Sequence, residues 1–177
     1  MSGRQSWTAV SFIVGLLIVA QPVVGSQDTK VVDAFEKCVG RYFTLLEAKD
    51  SSLTTFFEEI ASEDFRCQRG ETLYDKKAWL DFLHEYLSDD DTIKIQYEYE
   101  VRSVKTSRPD QVVFYLTVTE IRLWRDVNGT FGVANHILEY HEPFEMDVAL
   151  VFEKGGWRWK QVTFHSAGKR EFEQPTK

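Results

Sequence analysis

Residues 93–102 read IKIQYEYEVR, and this stretch divides the chain into two kinds of periodicity. Ile93, Ile95, Tyr97, Tyr99 and Val101 fall on one face and charged or amide side chains on the other, the period-two pattern of a half-buried strand. The same period persists downstream. Residues 111–125 predict a second strand whose apolar phase slips near Thr119 and Glu120, the mark of a bulge that bends a sheet. Asn128-Gly129 is a strong hairpin-turn signal. A third strand starts at Thr130 and meets Pro143, read as a bend or edge feature, before Phe144, Met146, Val148, Leu150 and Phe152 resume the alternation. Gly155-Gly156 makes another tight turn, and WRWKQVTFH, residues 157–165, is the closing strand.

Upstream of residue 91 the period is helical. Val31, Phe35, Cys38, Val39, Tyr42, Leu45 and Leu46 recur at intervals of three and four, which predicts a long first helix. Asp50-Ser51-Ser52 supplies caps for a shorter one that buries Leu53, Phe56, Phe57 and Ile60. Residues 64–68 and 71–74 flank Gly70 as two very short strands. Asp75 then caps a third helix, with Tyr74 stapled onto Trp79 and a stripe of Trp79, Phe82, Leu83, Tyr86 and Leu87.

The first 26 residues are set apart from the fold. Arg4 precedes a short apolar run over residues 9–20, Pro22 breaks it, and Val24-Gly25-Ser26 offers small residues for a signal peptidase after Gly25 or Ser26. An uncleaved anchor is the alternative, but the run falls short of the ~20 apolar residues needed to span a bilayer. The expectation is a secreted protein, free of the membrane once cleaved, whose residues 27–177 form one domain. The whole chain carries a net charge of −7, and the leader holds one basic and no acidic residue, which leaves −8. That balance argues against nucleic acid as a partner. Cys38 and Cys67 are the two cysteines. In an oxidising compartment they are expected to form a disulfide, with buried thiols or a cross-chain bridge as alternatives. Asn128-Gly129-Thr130 is an acceptor sequon for glycan.

Helices gathered on one side of a bent antiparallel sheet of four long strands plus a short hairpin make an α+β fold. Such a sheet leaves a cone under its helices where a small ligand can sit. The element order resembles the nuclear transport factor 2-like family, which includes ketosteroid isomerases, scytalone dehydratase, SnoaL-type cyclases and the association domain of calmodulin-dependent kinase. The resemblance spans residues 31–167 and is carried by RYFTLLEAKD, FFEEIASEDF, YDKKAWLDFL and KGGWRWKQVTFHSAG. It extends to the secreted, cysteine-bearing branch common in nematodes. None of these segments is a catalytic signature, so the resemblance implies fold more than function.

Ketosteroid isomerases use a first-helix tyrosine and an aspartate in the first short strand. Here the resemblance lays Tyr42 on the tyrosine, whereas Arg66, Cys67 and Gln68 stand near the aspartate's place and Asp64 lies too early. Cys38 and Tyr42 share a helix face, so a Cys38 to Cys67 bridge would bolt helix to strand at the cavity wall.

The remaining candidates are side chains out of pattern. Glu120 and Arg122 interrupt an apolar strand. If Ile121 and Leu123 take the inward face they form an outward salt bridge, and if not, Glu120 is an inward base. His165 resembles the family's closing-strand histidine and is either structural or pocket-lining. His84 falls on a polar helix side. His136 and His141, five apart in a strand, face opposite ways and make poor co-ligands, so no metal or other cofactor is expected. Tyr97, Tyr99, Trp124, Trp157 and Trp159 are an aromatic surplus divided among core, dimer contact and cavity. The reading is a secreted, non-catalytic module that binds a small apolar ligand or pairs as a homodimer, with Tyr42, Tyr97, Tyr99, Trp124, Trp159 and His165 lining the pocket. The alternative is a cofactor-free isomerase, dehydratase or cyclase with Tyr42 as donor and Glu120, Asp64 or His165 as base.

Overall fold

A computed structural model of the chain describes residues 26–89, 91–130, 136–166 and 171–173. The leader expected over residues 1–26 lies outside them except for Ser26. Three helices come early: α1 (Ser26–Glu47), α2 (Ser52–Ile60) and α3 (Lys76–Leu87). Helix α1 buries Val31, Phe35, Val39, Tyr42, Phe43 and Leu46, a stripe of one face. At the start of α2, Asp50 accepts a hydrogen bond from the Ser52 N–H at 2.8 Å. Asp75 does the same for Ala78 at the start of α3, also at 2.8 Å. The expected staple is present: the Tyr74 and Trp79 rings meet edge-on at 5.5 Å.

The strands are β1 (Ala61–Arg69), β2 (Thr72–Asp75), β3 (Thr92–Arg108), β4 (Gln111–Asp126), β5 (His136–Glu153), β6 (Gly156–Ser166) and β7 (Glu171–Glu173). They form a curled, unclosed α+β sheet in the order β2-β1-β6-β5-β4-β3, with β7 added to β5. The four long strands are antiparallel as expected. The sheet as a whole is mixed, however, because β1 runs parallel to β6, with Cys67 beside Val162. Gly70 turns β1 into β2 at a positive φ of 60°, which is why the hairpin pivots there.

Three further expectations are corrected. First, β4 carries no bulge at Thr119 and Glu120. Its register with β3 and β5 is unbroken there, and Val112, Phe114, Leu116, Val118 and Glu120 are buried in strict alternation. The apparent slip arose because Ile121 and Leu123, on the outer face, are apolar too. The bulges lie elsewhere, one of them at Ile93, where β3 pairs Thr92 and then Lys94 and leaves Ile93 46% exposed. Second, Pro143 does not interrupt the strand, and of the two readings, bend or edge feature, it is the edge feature. It sits inside β5 opposite Thr119, where β6 pairing stops at Phe144 and β7 pairing starts at His141. Among the described residues no strand therefore asks Pro143 for an N–H on that side.

Third, Cys38 and Cys67 are both free thiols, so the expected disulfide is not made. Cys38 is hydrogen-bonded to the Trp159 side chain. Cys67 lies beside Val162 in the β1–β6 pairing, and the two thiols do not come within bonding reach of each other. Between helix and sheet the space is filled by rings: Phe35 stacks on Phe114 at 3.8 Å, and Trp159 packs on Tyr42 at 5.2 Å.

Candidate functional site

Helix α3 does not close fully on the inner face of β4, β5 and β6. Between them lies a cavity of about 500 Å³. Its apolar walls are Phe43, Trp79, Phe82, Met146 and Phe164, and its polar end holds Tyr86, Tyr97, Glu120, Arg122, Tyr140 and Glu142. Inward alternation along β4 brings Glu120 and Arg122 to this end. The Tyr97 N–H of β3 donates to the Glu47 carboxylate at 2.7 Å, which ties the end of α1 to the strand that carries the tyrosine.

The polar groups form one connected set. Arg122 Nη2 lies 2.6 Å from Glu120 Oε1, with the two side chains 16% and 11% exposed. Tyr97 Oη donates to Glu120 Oε2 at 3.0 Å. Tyr86 Oη and Tyr97 Oη are 2.5 Å apart. The Arg122 guanidinium lies over the Tyr86 ring at 5.3 Å and the Tyr140 ring at 5.6 Å. Burial, with the Glu120 charge next in importance, pushes both the Tyr86 and Tyr97 hydroxyls above the ordinary phenol range. Burial works against the Arg122 charge, but Glu120 and the surrounding tyrosines hold it protonated above its usual range.

The candidates named from sequence separate into three groups. Tyr42, Tyr97, Glu120 and His165 all line the cavity. Tyr42 is 5% exposed and hydrogen-bonded to the Trp79 side chain, and burial raises its hydroxyl far above the phenol range. His165 touches only the rim: it alternates with inward Phe164, and its Nε2 lies 3.0 Å from Asp147. Asp64 is elsewhere, ion-paired with Lys160 and hydrogen-bonded by Ser62 at 3.1 Å, so its carboxyl sits below the usual range. Of the expected lining residues, Tyr99, Trp124 and Trp159 do not reach the cavity. Tyr99 stands 37% exposed against Phe43, Trp159 belongs to the core, and Trp124 pairs with Thr92 and Leu138 beyond the polar end.

The expectation of an outward Glu120 and Arg122 pair is also corrected. They are paired, but inward, because the β4 alternation never slips. Sequence reading missed Tyr86, Tyr140 and Glu142 as site residues. Their signal was present as the helix stripe ending at Tyr86 and as the alternation Leu138, Tyr140, Glu142, Phe144, Met146. Asn128 is exposed and Gly129 has φ 71°, but the paired ends of the two strands are Asp126 and His136, so Asn128-Gly129 falls in a longer connection over 127–135 rather than in a two-residue hairpin turn, and the strand expected from Thr130 is described from His136. No group of three or more metal-ligating side chains is found among the described residues.

No protein-family model and no curated protein matches this chain. Solved structures do. A hexachlorocyclohexane dehydrochlorinase of type 3 from Novosphingobium barchaimii superposes with a TM-score of 0.67 at 10% identity, covering 84% of this chain and 94% of its own. A scytalone dehydratase candidate from Novosphingobium aromaticivorans gives 0.62 at 12%, covering 85% and 93%. An uncharacterized protein with a cystatin-like fold from Caulobacter vibrioides gives 0.58 at 14%, covering 78% and 91%. At such identities the likeness is one of fold, and the fold is the nuclear transport factor 2-like cone.

Proposed function

We propose that this chain is a secreted, non-catalytic module that holds one small, mostly apolar ligand in the cavity beneath α3. The observation that supports this most is the state of Glu120: Oε1 is in contact with Arg122 and Oε2 accepts from Tyr97. A general base works best when its carboxylate is held bare toward the substrate proton, whereas here one lone pair on each oxygen is already engaged, by Arg122 and by Tyr97. The aromatic walls with a few convergent polar groups are what a carrier of a small apolar molecule requires. Secretion rests on the leader pattern alone. Self-association is part of the same proposal. Val113 and Tyr115, and beyond Thr117 and Thr119 also Ile121 and Leu123, stand half-buried on the outer face of β4, and these are the apolar residues the sheet offers to a second copy of the chain.

The test is titration of the purified chain with the neutral fluorophore N-phenyl-naphthylamine. Saturable enhancement at one site per chain is expected, abolished by Met146→Trp, which fills the cavity. Linear, unsaturable fluorescence would overturn the reading. A second reading, a cofactor-free lyase or isomerase, draws on one observation: Glu120 and Tyr97 line the same cavity as Tyr42. Turnover of an unsaturated ketosteroid that disappears in Glu120→Gln, with Tyr42→Phe as companion, would decide for it.

A further inference from the structure

The hydrogen-bonded set at the polar end of the cavity has a direction. Arginine only donates, so Glu120 Oε1, 2.6 Å from Arg122 Nη2, accepts. Glu120 Oε2 accepts as well, from Tyr97 Oη at 3.0 Å. Tyr97 has a single hydroxyl proton, and Glu120 takes it. In the 2.5 Å contact between the two phenols, Tyr86 is therefore the donor. The chain of protons runs from Tyr86 through Tyr97 to Glu120 and ends there. What it leaves facing the cavity is the Tyr86 oxygen, with lone pairs and no proton to offer.

Arg122 does not reverse this polarity. Its Nη2 is in contact with Glu120, its Nη1 is turned to Thr92 Oγ1 at 3.5 Å and Asp89 Oδ2 at 3.9 Å, and its guanidinium is covered by the Tyr86 and Tyr140 rings. Its Nε is buried without a hydrogen-bond partner among the described residues, so a ligand atom the size of water does not touch it. The arginine acts through the carboxylate it holds, and the carboxylate acts through two tyrosines. Since burial keeps both phenols protonated, the order of the chain persists across the neutral range.

We infer that the cavity selects an apolar ligand bearing a hydroxyl, an alcohol or phenol whose O–H donates to Tyr86, over ketones and ethers of the same shape. The inference rests on the ligand-binding reading above. A ketone or ether oxygen placed against the Tyr86 oxygen sets lone pair against lone pair and loses its hydration for nothing in return. Unsatisfied buried polar atoms of this kind cost affinity by about tenfold or more.

Three probes separate the outcomes: β-naphthol, its methyl ether and β-acetonaphthone, titrated calorimetrically into the full chain. The naphthol should bind about tenfold more tightly than the other two. Tyr86→Phe should bring it down to the level of the ether and leave the ether unchanged. Glu120→Gln gives a sharper result. The glutamine must turn its oxygen to Arg122 and its amide N–H to Tyr97, so the chain reverses and Tyr86 becomes a donor. In that variant the ketone should overtake the naphthol. Equal binding of the three probes to the native chain would overturn the inference while leaving the cavity reading intact. Saturation by none of them would overturn both, and tightest binding by the ketone or ether would show that the chain runs the other way.

Discussion

Arg122→Met removes one charge from a pair that the sheet has buried, and the cost can be worked out. At the observed 2.6 Å, two unit charges in an effective dielectric of about 20 attract by about 6 kcal/mol. Desolvation of both ions offsets most of that, so the intact pair adds little net stability. Taking away the arginine alone is different. Glu120, 11% exposed, keeps its desolvation cost and retains only the Tyr97 hydrogen bond. The expected loss is about 3 kcal/mol, roughly a 10 °C fall in Tm for a domain of this size. Arg122→Met with Glu120→Leu should recover about 2 kcal/mol of it, because no charge is then left behind. Urea unfolding followed by tryptophan fluorescence at neutral pH measures all three forms with Glu120→Leu as the fourth corner. A loss under about 1 kcal/mol in Arg122→Met, or strict additivity in the double variant, would refute the view that the two residues act as a buried unit.

Other outcomes follow from single contacts. Phe114→Ala removes the ring stacked on Phe35 at full burial and should cost about 3 to 5 kcal/mol by urea titration. Asp75→Ala deletes the cap on Ala78 and should cost about 1 kcal/mol in the same assay. Asn128→Gln, at an exposed turn, should leave Tm unchanged while any glycan disappears from the intact mass. Burial raises Cys38 from 9.0 to about 11 and Cys67 from 9.0 to about 12. Their raised values mean that the native chain keeps protons that the unfolded chain has already lost, so their stabilisation is lost as pH rises above 9. Stability should fall by about 2 kcal/mol per pH unit between pH 9 and 11, and native thiols should resist alkylation at pH 8 until urea is added.

The helices, their caps and the tight hairpin after β5 were legible because each is written in neighbouring residues: a three-and-four stripe, an aspartate before a turn of helix, a Gly155-Gly156 pair. The parallel contact of β1 with β6 was not. It joins segments far apart in the chain, and neither strand carries a mark of the other. Glu120 shows a second limit. Apolar residues on both faces of β4 make the phase ambiguous, and only the β3 and β5 registers fix which face turns inward. The cysteines show a third, since sharing a helix face with Tyr42 does not set whether the Cys38 thiol reaches Cys67 on β1. Tyr86, Tyr140 and Glu142 were visible as pattern members, but no local rule distinguishes a residue that fills a core from one that borders a void.

The parallel pairing of β1 with β6 also puts the parts of this molecule in order of time. Phe65 and Cys67 of β1 are fully buried in the finished fold, and β1 takes β6 as its parallel neighbour. The two strands lie roughly a hundred residues apart, so at ribosomal speeds β1 waits about 5 to 20 s for its partner to be made. Throughout that interval the edge of β1 that will pair with β6 stays open. The β3–β4 and β4–β5 hairpins can zip as they emerge, but the sheet is joined to its first hairpin only by the last long strand. The early segment is accordingly the place where a chaperone would engage a nascent chain, and where a slowed or truncated synthesis would leave an adhesive edge.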